Sequence, residues 1–142
     1  MLQYQKKKSM ETIKTIFKEV AYNQRSIYDL IHVLINKNTD DKIEDGEKNA
    51  YQAFCCALLA KQAKSLMQKG QYIKEYNQFI QRSLLINPNC VISRLIRLMV
   101  EKRLENVRFV SHIEEDSLFL SGRVRTVCEE EIKRLINKTL AS

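Results

Sequence analysis

The chain has 142 residues, of which 44% are hydrophobic, 29% charged and 8% aromatic, a composition typical of one ordinary globular domain. It contains three glycines and one proline. An all-β domain needs a turn about every 8–12 residues, and Gly, Pro, Asn and Asp supply most turns. Three scattered glycines cannot form the phosphate-binding loop of a nucleotide-binding α/β domain. The composition therefore predicts an all-α protein.

Basic residues exceed acidic residues by 24 to 17, which gives a formal net charge of +7. No acid lies between Glu75 and Glu101. The cations in or just after this stretch are Arg82, Arg94, Arg97, Lys102, Arg103 and Arg108. The pattern predicts a locally positive surface over residues 82–108, which would attract acidic partners.

The cysteines and histidines indicate no metal site and no cofactor. No CxxC spacing occurs, and the adjacent pair Cys55–Cys56 cannot easily close on itself. The two histidines, His32 and His112, are not spaced as metal ligands. The cysteines are therefore interpreted as small apolar residues in a reducing compartment.

The chain contains no uninterrupted apolar stretch of about 18 residues and no apolar segment after Lys6–Lys8. We therefore expect a cytoplasmic protein without a membrane span. Residues 1–8 are predicted to be a disordered leader, and residues 9–142 a single helical domain.

Apolar residues at helical spacing predict two helices over 10–22 and 25–37, with Ser9 as the first N-cap and Glu11 in the first turn. Residues 38–48 lack this periodicity and are predicted to be the longest loop. An alanine-rich helix over 49–69 follows, and Gly70 is expected to end it in the left-handed conformation. The next helix should stop at Asn87-Pro88, so these two helices form an antiparallel hairpin.

A fifth helix is predicted over 89–104, with Arg94 and Arg97 opposite its apolar face. Residues 105–111 should form a connection, and a short helix over 112–120 should end at Gly122. The last helix is predicted over 124–140. The fold expected is an antiparallel array of six or seven helices.

Residues 57–88 resemble a tetratricopeptide repeat, with Pro88 after the second helix, Ile80 in a large apolar position and Ser83 in a small one. Tyr76 stands where that repeat has a small residue. The resemblance implies tetratricopeptide-like helical hairpins.

A second resemblance covers residues 50–120. The features that carry it are Ala50-Tyr51, Asn87-Pro88-Asn89, Arg94-Leu95-Ile96-Arg97 and Ile113-Glu114-Glu115-Asp116 with Phe119. In these the chain is similar to a family of small uncharacterised bacterial α-helical proteins. That resemblance implies a helical fold and no known activity.

The polar cluster of Arg94, Arg97, Glu114, Glu115 and Asp116 has two interpretations. The arginines could clamp a carboxylate or phosphate while an acid acts as a base. Alternatively, the acids occupy the favourable first turn of a helix and pair with the arginines, which would fix two helices together. The structural interpretation is favoured. An enzyme that uses His112 with these acids is the least favoured function.

An aromatic stripe on the hairpin also allows two interpretations: its residues fill the core, or some of them line a groove that holds a peptide. The favoured function is a non-catalytic adaptor that binds a protein or peptide through Tyr72, Tyr76, Arg94 and Arg97. The alternative is nucleic-acid binding through residues 82–108. Self-association into a homodimer is a further expectation, because a short helical array has exposed end faces.

Overall fold

A computed structural model of the chain describes residues 12–36, 43–104 and 111–142. Within these ranges the protein contains seven α-helices, one 3₁₀ turn and no β-strand, which confirms the all-α array. The helices are α1 (Ile13–Ala21), α2 (Ile27–Ile35), α3 (Asp45–Gln62), α4 (Leu66–Ile86), α5 (Val91–Arg103), α6 (Ile113–Arg123) and α7 (Glu130–Ala141). The 3₁₀ turn, Val124–Thr126, lies between α6 and α7.

Hydroxyl caps determine where three of the helices begin. Thr12 accepts a hydrogen bond from the backbone N–H of Thr15 at the start of α1, and Ser26 does the same for Tyr28 in α2. Ser65 accepts from the backbone N–H of Gln68, 3.1 Å away, and starts α4. Each cap satisfies a donor that the first helical turn leaves unpaired.

The boundary between α3 and α4 corrects the prediction. The helix predicted over 49–69 ends at Gln62, and Gly70 lies inside α4 with a negative φ rather than at a left-handed stop. Ser65 supplies the start signal for α4 there, and the turn contains neither glycine nor proline. The predicted stop at Asn87-Pro88 is confirmed, because α4 ends at Ile86.

Most other helix ends lie within about one turn of their predicted positions. The predicted loop over 38–48 is too long, because α3 begins at Asp45, with Asp45 and Glu47 favourably placed in its first turn. The short helix extends to Arg123, so Gly122 is inside it, and α7 begins only at Glu130. Residues 1–8, Ser9, Glu11 and most of the 105–111 connection lie outside the described residues.

The ends of three helices meet at a buried pair of serines. Ser83 of α4 donates to the carbonyl of Gly46 in α3, 2.5 Å away, and shares a short hydrogen bond with Ser93 of α5. A Cβ at position 46 would lie 3.3 Å from the Ser83 carbonyl oxygen, so glycine permits this close approach. Since the starts of α3 and α5 both meet the end of α4, α3 and α5 run in one direction and α4 runs opposite.

One hydrophobic core contains buried residues from all seven helices. Phe17 of α1 is central to it, with its ring centroid 5.3 Å from that of Tyr51 and 4.9 Å from that of Phe54. α1 also contacts α7, where Lys14 pairs with Glu129 at 2.7 Å and Lys18 with Glu131 at 3.1 Å. Around the α3–α4 hairpin, α2 packs against α3 and α5 packs against both helices, while α7 contacts α1, α5 and α6.

None of the helices in the described ranges combines the length and the apolar character needed to cross a membrane.

Candidate functional site

The predicted polar cluster forms between α5 and α6. Asp116 is fully buried, and Arg97 grips it as a fork, with Nε 2.7 Å from Oδ2 and Nη2 2.8 Å from Oδ1. Arg94 adds a third contact from Nη1 to Oδ1 at 3.1 Å. The planar guanidinium matches a carboxylate with two parallel hydrogen bonds, which is the most specific form of this ion pair.

The remaining members of the cluster are placed differently from one another. Glu115 is 61% exposed and lies 2.8 Å from Arg97 and 3.2 Å from Arg94, so it extends the pair at the surface. Glu114 is exposed and has no ion pair with any residue of the described ranges. Arg94 also donates Nε and Nη2 to the Pro88 carbonyl, at 3.0 and 2.9 Å, and stacks 4.8 Å from the centroid of the Phe119 ring.

The acids around Arg97 affect its pKa more than its burial does. Burial alone would lower the pKa of Arg97, but the hydrogen bonds that Arg97 donates to Asp116 and the negative charge of that carboxylate raise the pKa above its ordinary value. The guanidinium therefore stays charged at every physiological pH. A permanently charged arginine held by a buried carboxylate joins α5 to α6.

A second polar contact between α5 and the start of α6 lies one turn further along α5. Glu101 is buried; its Oε1 accepts from the backbone N–H of His112 at 2.5 Å, and its Oε2 lies 2.8 Å from His112 Nδ1. His112 is the residue before α6, so Glu101 acts as an acceptor at that helix start. His112 thus contacts Glu101, and two of the three acids after it, Glu115 and Asp116, are paired with arginines.

The two tyrosines predicted to bind a partner are not part of the arginine cluster. Tyr76 is buried, and its hydroxyl has no hydrogen-bond partner among the residues that the structure describes. Burial raises the pKa of this hydroxyl well above its ordinary range, and the charge of nearby Glu101 raises it further. Tyr72 is half-buried. The four predicted partner-binding residues therefore do not form one exposed surface.

An apolar groove lies on the hairpin, with α3 as its floor and α4 and α5 as its walls. Its volume is about 640 Å³. The residues that line it are Phe54, Ala57, Leu58, Ala60, Lys61, Lys69, Ile73, Tyr76, Met99, Val100, Arg103 and Leu104. The sequence predicted two residues of this set as candidates, Tyr76 and, in the basic surface over 82–108, Arg103. It missed the other apolar positions because helical periodicity predicts burial for them. The alanines, which predict close approach of another helix, were the one available signal.

The charged residues of the groove share one end of it. Lys61 is in the last turn of α3, Lys69 in the first turn of α4 and Arg103 at the end of α5. Because α4 runs opposite to α3 and α5, these three helix ends lie together. The described part of the lining contains three cations and no carboxylate. The groove is thus apolar along its length and positive at one end.

The predicted basic surface over 82–108 is partly used within the chain. Arg94 and Arg97 pair with the acids of α6, and Lys102 Nζ donates to the carbonyls of Thr139 and Ser142 at 2.7 and 2.9 Å. Arg82 is exposed and lies 5.7 Å from the centroid of the Phe79 ring. Arg108 lies outside the described residues. The nucleic-acid alternative stays a prediction.

Among the residues that the structure describes, no three His, Cys, Asp or Glu side chains are placed to hold one metal ion. All four cysteines are free thiols, and Cys128 is exposed while the other three are buried.

No protein-family model, no curated protein and no solved structure matches the chain. The resemblances to tetratricopeptide repeats and to the bacterial helical family therefore stay predictions.

Proposed function

We propose that the protein is a non-catalytic adaptor that holds a helical segment of a partner protein in the groove between α3, α4 and α5. The observation that carries this proposal is the groove itself. Its volume of about 640 Å³ lies within the roughly 300–1,000 Å³ typical of sites that enclose a ligand. Two helical walls over a helical floor suit a third helix that lays its apolar face between them.

Apolar exposure on α4 supports a macromolecular partner. Leu66 is 88% exposed and Ile73 is 41% exposed, and their separation of seven positions places both on one face of the helix. That face continues to Tyr76 in the groove. Apolar surface that extends beyond a pocket is typical of protein interaction sites. A partner helix would cover Ile73 and then Leu66 as it leaves the groove.

The predicted residues acquire separate roles in this proposal. Tyr76 contacts the partner from the floor side of α4, whereas Arg94 and Arg97 position α5 by anchoring it to α6. The four free thiols support a reducing, cytoplasmic setting.

A peptide-display selection tests the proposal. A random library of 16-residue peptides is selected against the wild-type protein, and the enriched peptides are measured by fluorescence anisotropy against two α4 variants. Ile73→Asp places a carboxylate in the groove wall. Leu85→Asp places one at an 84% exposed position outside the groove lining and serves as the matched control.

We expect enriched peptides with apolar residues three, four and seven positions apart, because these positions share one helix face. Their affinity should fall at least tenfold for Ile73→Asp and stay unchanged for Leu85→Asp, with both variants folded by circular dichroism. Peptides without this spacing, equal binding by Ile73→Asp or a selection without enrichment would overturn the proposal. Size-exclusion chromatography of the two variants tests whether a second copy of the chain occupies the groove. A dimer that Ile73→Asp disrupts and Leu85→Asp does not would also overturn the proposal.

A further inference from the structure

The three cations at one end of the groove point to the charge of the partner and its direction. Resting on the proposed function, we infer that the bound helix carries acidic residues in its C-terminal turn and places that turn against Lys61, Lys69 and Arg103. The helix would then run parallel to α3 and α5.

Of the three cations, only Lys69 lies where its positive charge does not stabilise its own helix. Lys61 and Arg103 lie near the C-terminal ends of α3 and α5, where a positive charge complements the helix dipole. Lys69 lies in the first turn of α4, where the dipole disfavours a cation, and that turn contains no acid to offset it. It has no ion pair with the described part of the chain. A negatively charged ligand would compensate this charge.

The dipoles of the neighbouring helices agree with an anionic occupant. The N-terminal end of α4 opens at the same place as Lys69, and its unpaired backbone N–H groups favour negative charge. The partial negative charges at the ends of α3 and α5 are already met by Lys61 and Arg103. The local field at this end of the groove is therefore positive.

The direction of the partner helix follows from the same field. The C-terminal end of a helix carries about half a negative elementary charge, so it is attracted to this end of the groove, whereas an N-terminal end is repelled. Asp or Glu side chains in the last turn add to the attraction. The apolar stripe of the partner then extends toward Tyr76, where the lining that the structure describes contains no charged residue.

Two synthetic peptides of identical composition test this inference. Both carry the apolar stripe obtained by display selection; one has three glutamates in its last turn and the other has them in its first turn. We expect the peptide with C-terminal glutamates to bind about tenfold more tightly, since each exposed ion pair contributes modestly and the peptide can form three of them. The difference should shrink with added salt.

Charge reversal identifies the residues responsible. The variant with Lys61→Glu, Lys69→Glu and Arg103→Glu should lose the preference. The matched control changes three exposed cations outside the groove lining, Lys48→Glu, Arg125→Glu and Arg134→Glu, and should keep it. Both variants change the net charge equally, so a general field effect would affect them alike.

The outcomes distinguish this inference from the proposed function. If Ile73→Asp abolishes binding while the charge-reversed variant keeps the preference for C-terminal glutamates, the groove binds helices and the inference about charge is wrong. Tighter binding of the peptide with N-terminal glutamates would overturn the direction. If dodecanoate binds and no helical peptide does, the occupant is an anionic lipid, which overturns the inference and the proposed function together.

Discussion

Arg97 holds the fully buried Asp116 in a two-bonded fork, with both N–O distances below 3 Å. The two residues belong to α5 and α6, so the pair fixes these helices relative to one another. α5 also forms one wall of the apolar groove through Met99, Val100 and Arg103. The ion pair therefore fixes the position of α5, which forms a groove wall, although neither Arg97 nor Asp116 lines the groove.

Loss of the buried carboxylate should destabilise the protein strongly. Asp116→Ala leaves Arg97, whose side chain is only 11% exposed, without its main counter-charge. Removal of one partner of a buried ion pair typically costs about 3–5 kcal/mol. Urea denaturation followed by circular dichroism measures the change in the free energy of unfolding.

The exposed member of the cluster is the matched control for that measurement. Glu115→Ala should change the free energy of unfolding by about 1 kcal/mol or less, because the Glu115 side chain is 61% exposed and well hydrated. If Asp116→Ala unfolds as easily as Glu115→Ala and both lose peptide binding, the cluster is a ligand site. That result would favour the other interpretation of these five residues over the structural one.

The sequence predicted the parts of the fold that local chemistry determines. Pro88 cannot follow a helical residue without strain, so the end of α4 was predictable. The arginines at 94 and 97 and the acid run that begins at 114 were predictable as a pair across two helices, because opposite charges on neighbouring helices attract. In these cases a single proline, or a few charged residues on two predicted helices, contain the necessary information.

The groove depends on tertiary arrangement and could not be predicted. Ile73 follows the same periodicity as buried Ile80 on α4, yet 41% of it is exposed. The exposure of each residue depends on whether another helix covers that part of α4, and the local sequence pattern does not indicate this. The end of α3 was also predicted wrongly. Glycine often ends a helix or permits close contact with a neighbouring helix, but Gly70 does neither and lies inside α4.

Replacement of Gly70 tests its corrected position. In the structure Gly70 lies in the interior of α4, is exposed and has no neighbouring atom within 4 Å of an added Cβ. Gly70→Ala should therefore raise the free energy of unfolding by about 0.5–1 kcal/mol, because alanine loses less backbone entropy in a helix. A left-handed stop at this position would give a loss instead.

Gly46 is the control within α3. It also has helical backbone, but a Cβ there would meet the backbone oxygen of Ser83 at 3.3 Å and the Cβ of Asn87 at 3.4 Å. Gly46→Ala should thus stabilise less than Gly70→Ala in the same urea experiment. Equal gains would contradict the close contact between α3 and α4 at this point.

The cysteines should divide into one reactive thiol and three protected ones. Burial raises the pKa of Cys55 to about 12 and that of Cys56 to about 11, with the charge of Glu75 adding to the shift at Cys56. At pH 8 a thiol with a pKa of about 11 is ionised in roughly one molecule in a thousand, and the thiolate is the nucleophile. Cys90 is buried as well, whereas Cys128 is exposed.

Thiol titration with a chromogenic disulfide at pH 8 measures this division. The native protein should release one equivalent of chromophore rapidly, and the remaining three should appear only in denaturant. Cys128→Ser should remove the rapid phase and leave the slow one unchanged. A second rapid thiol that disappears in Cys56→Ser would show that α3 opens on its α4-facing side, where Cys56 lies beside Glu75. Since the same segment of α3 forms the floor of the groove, addition of a groove-binding peptide should then slow that second thiol.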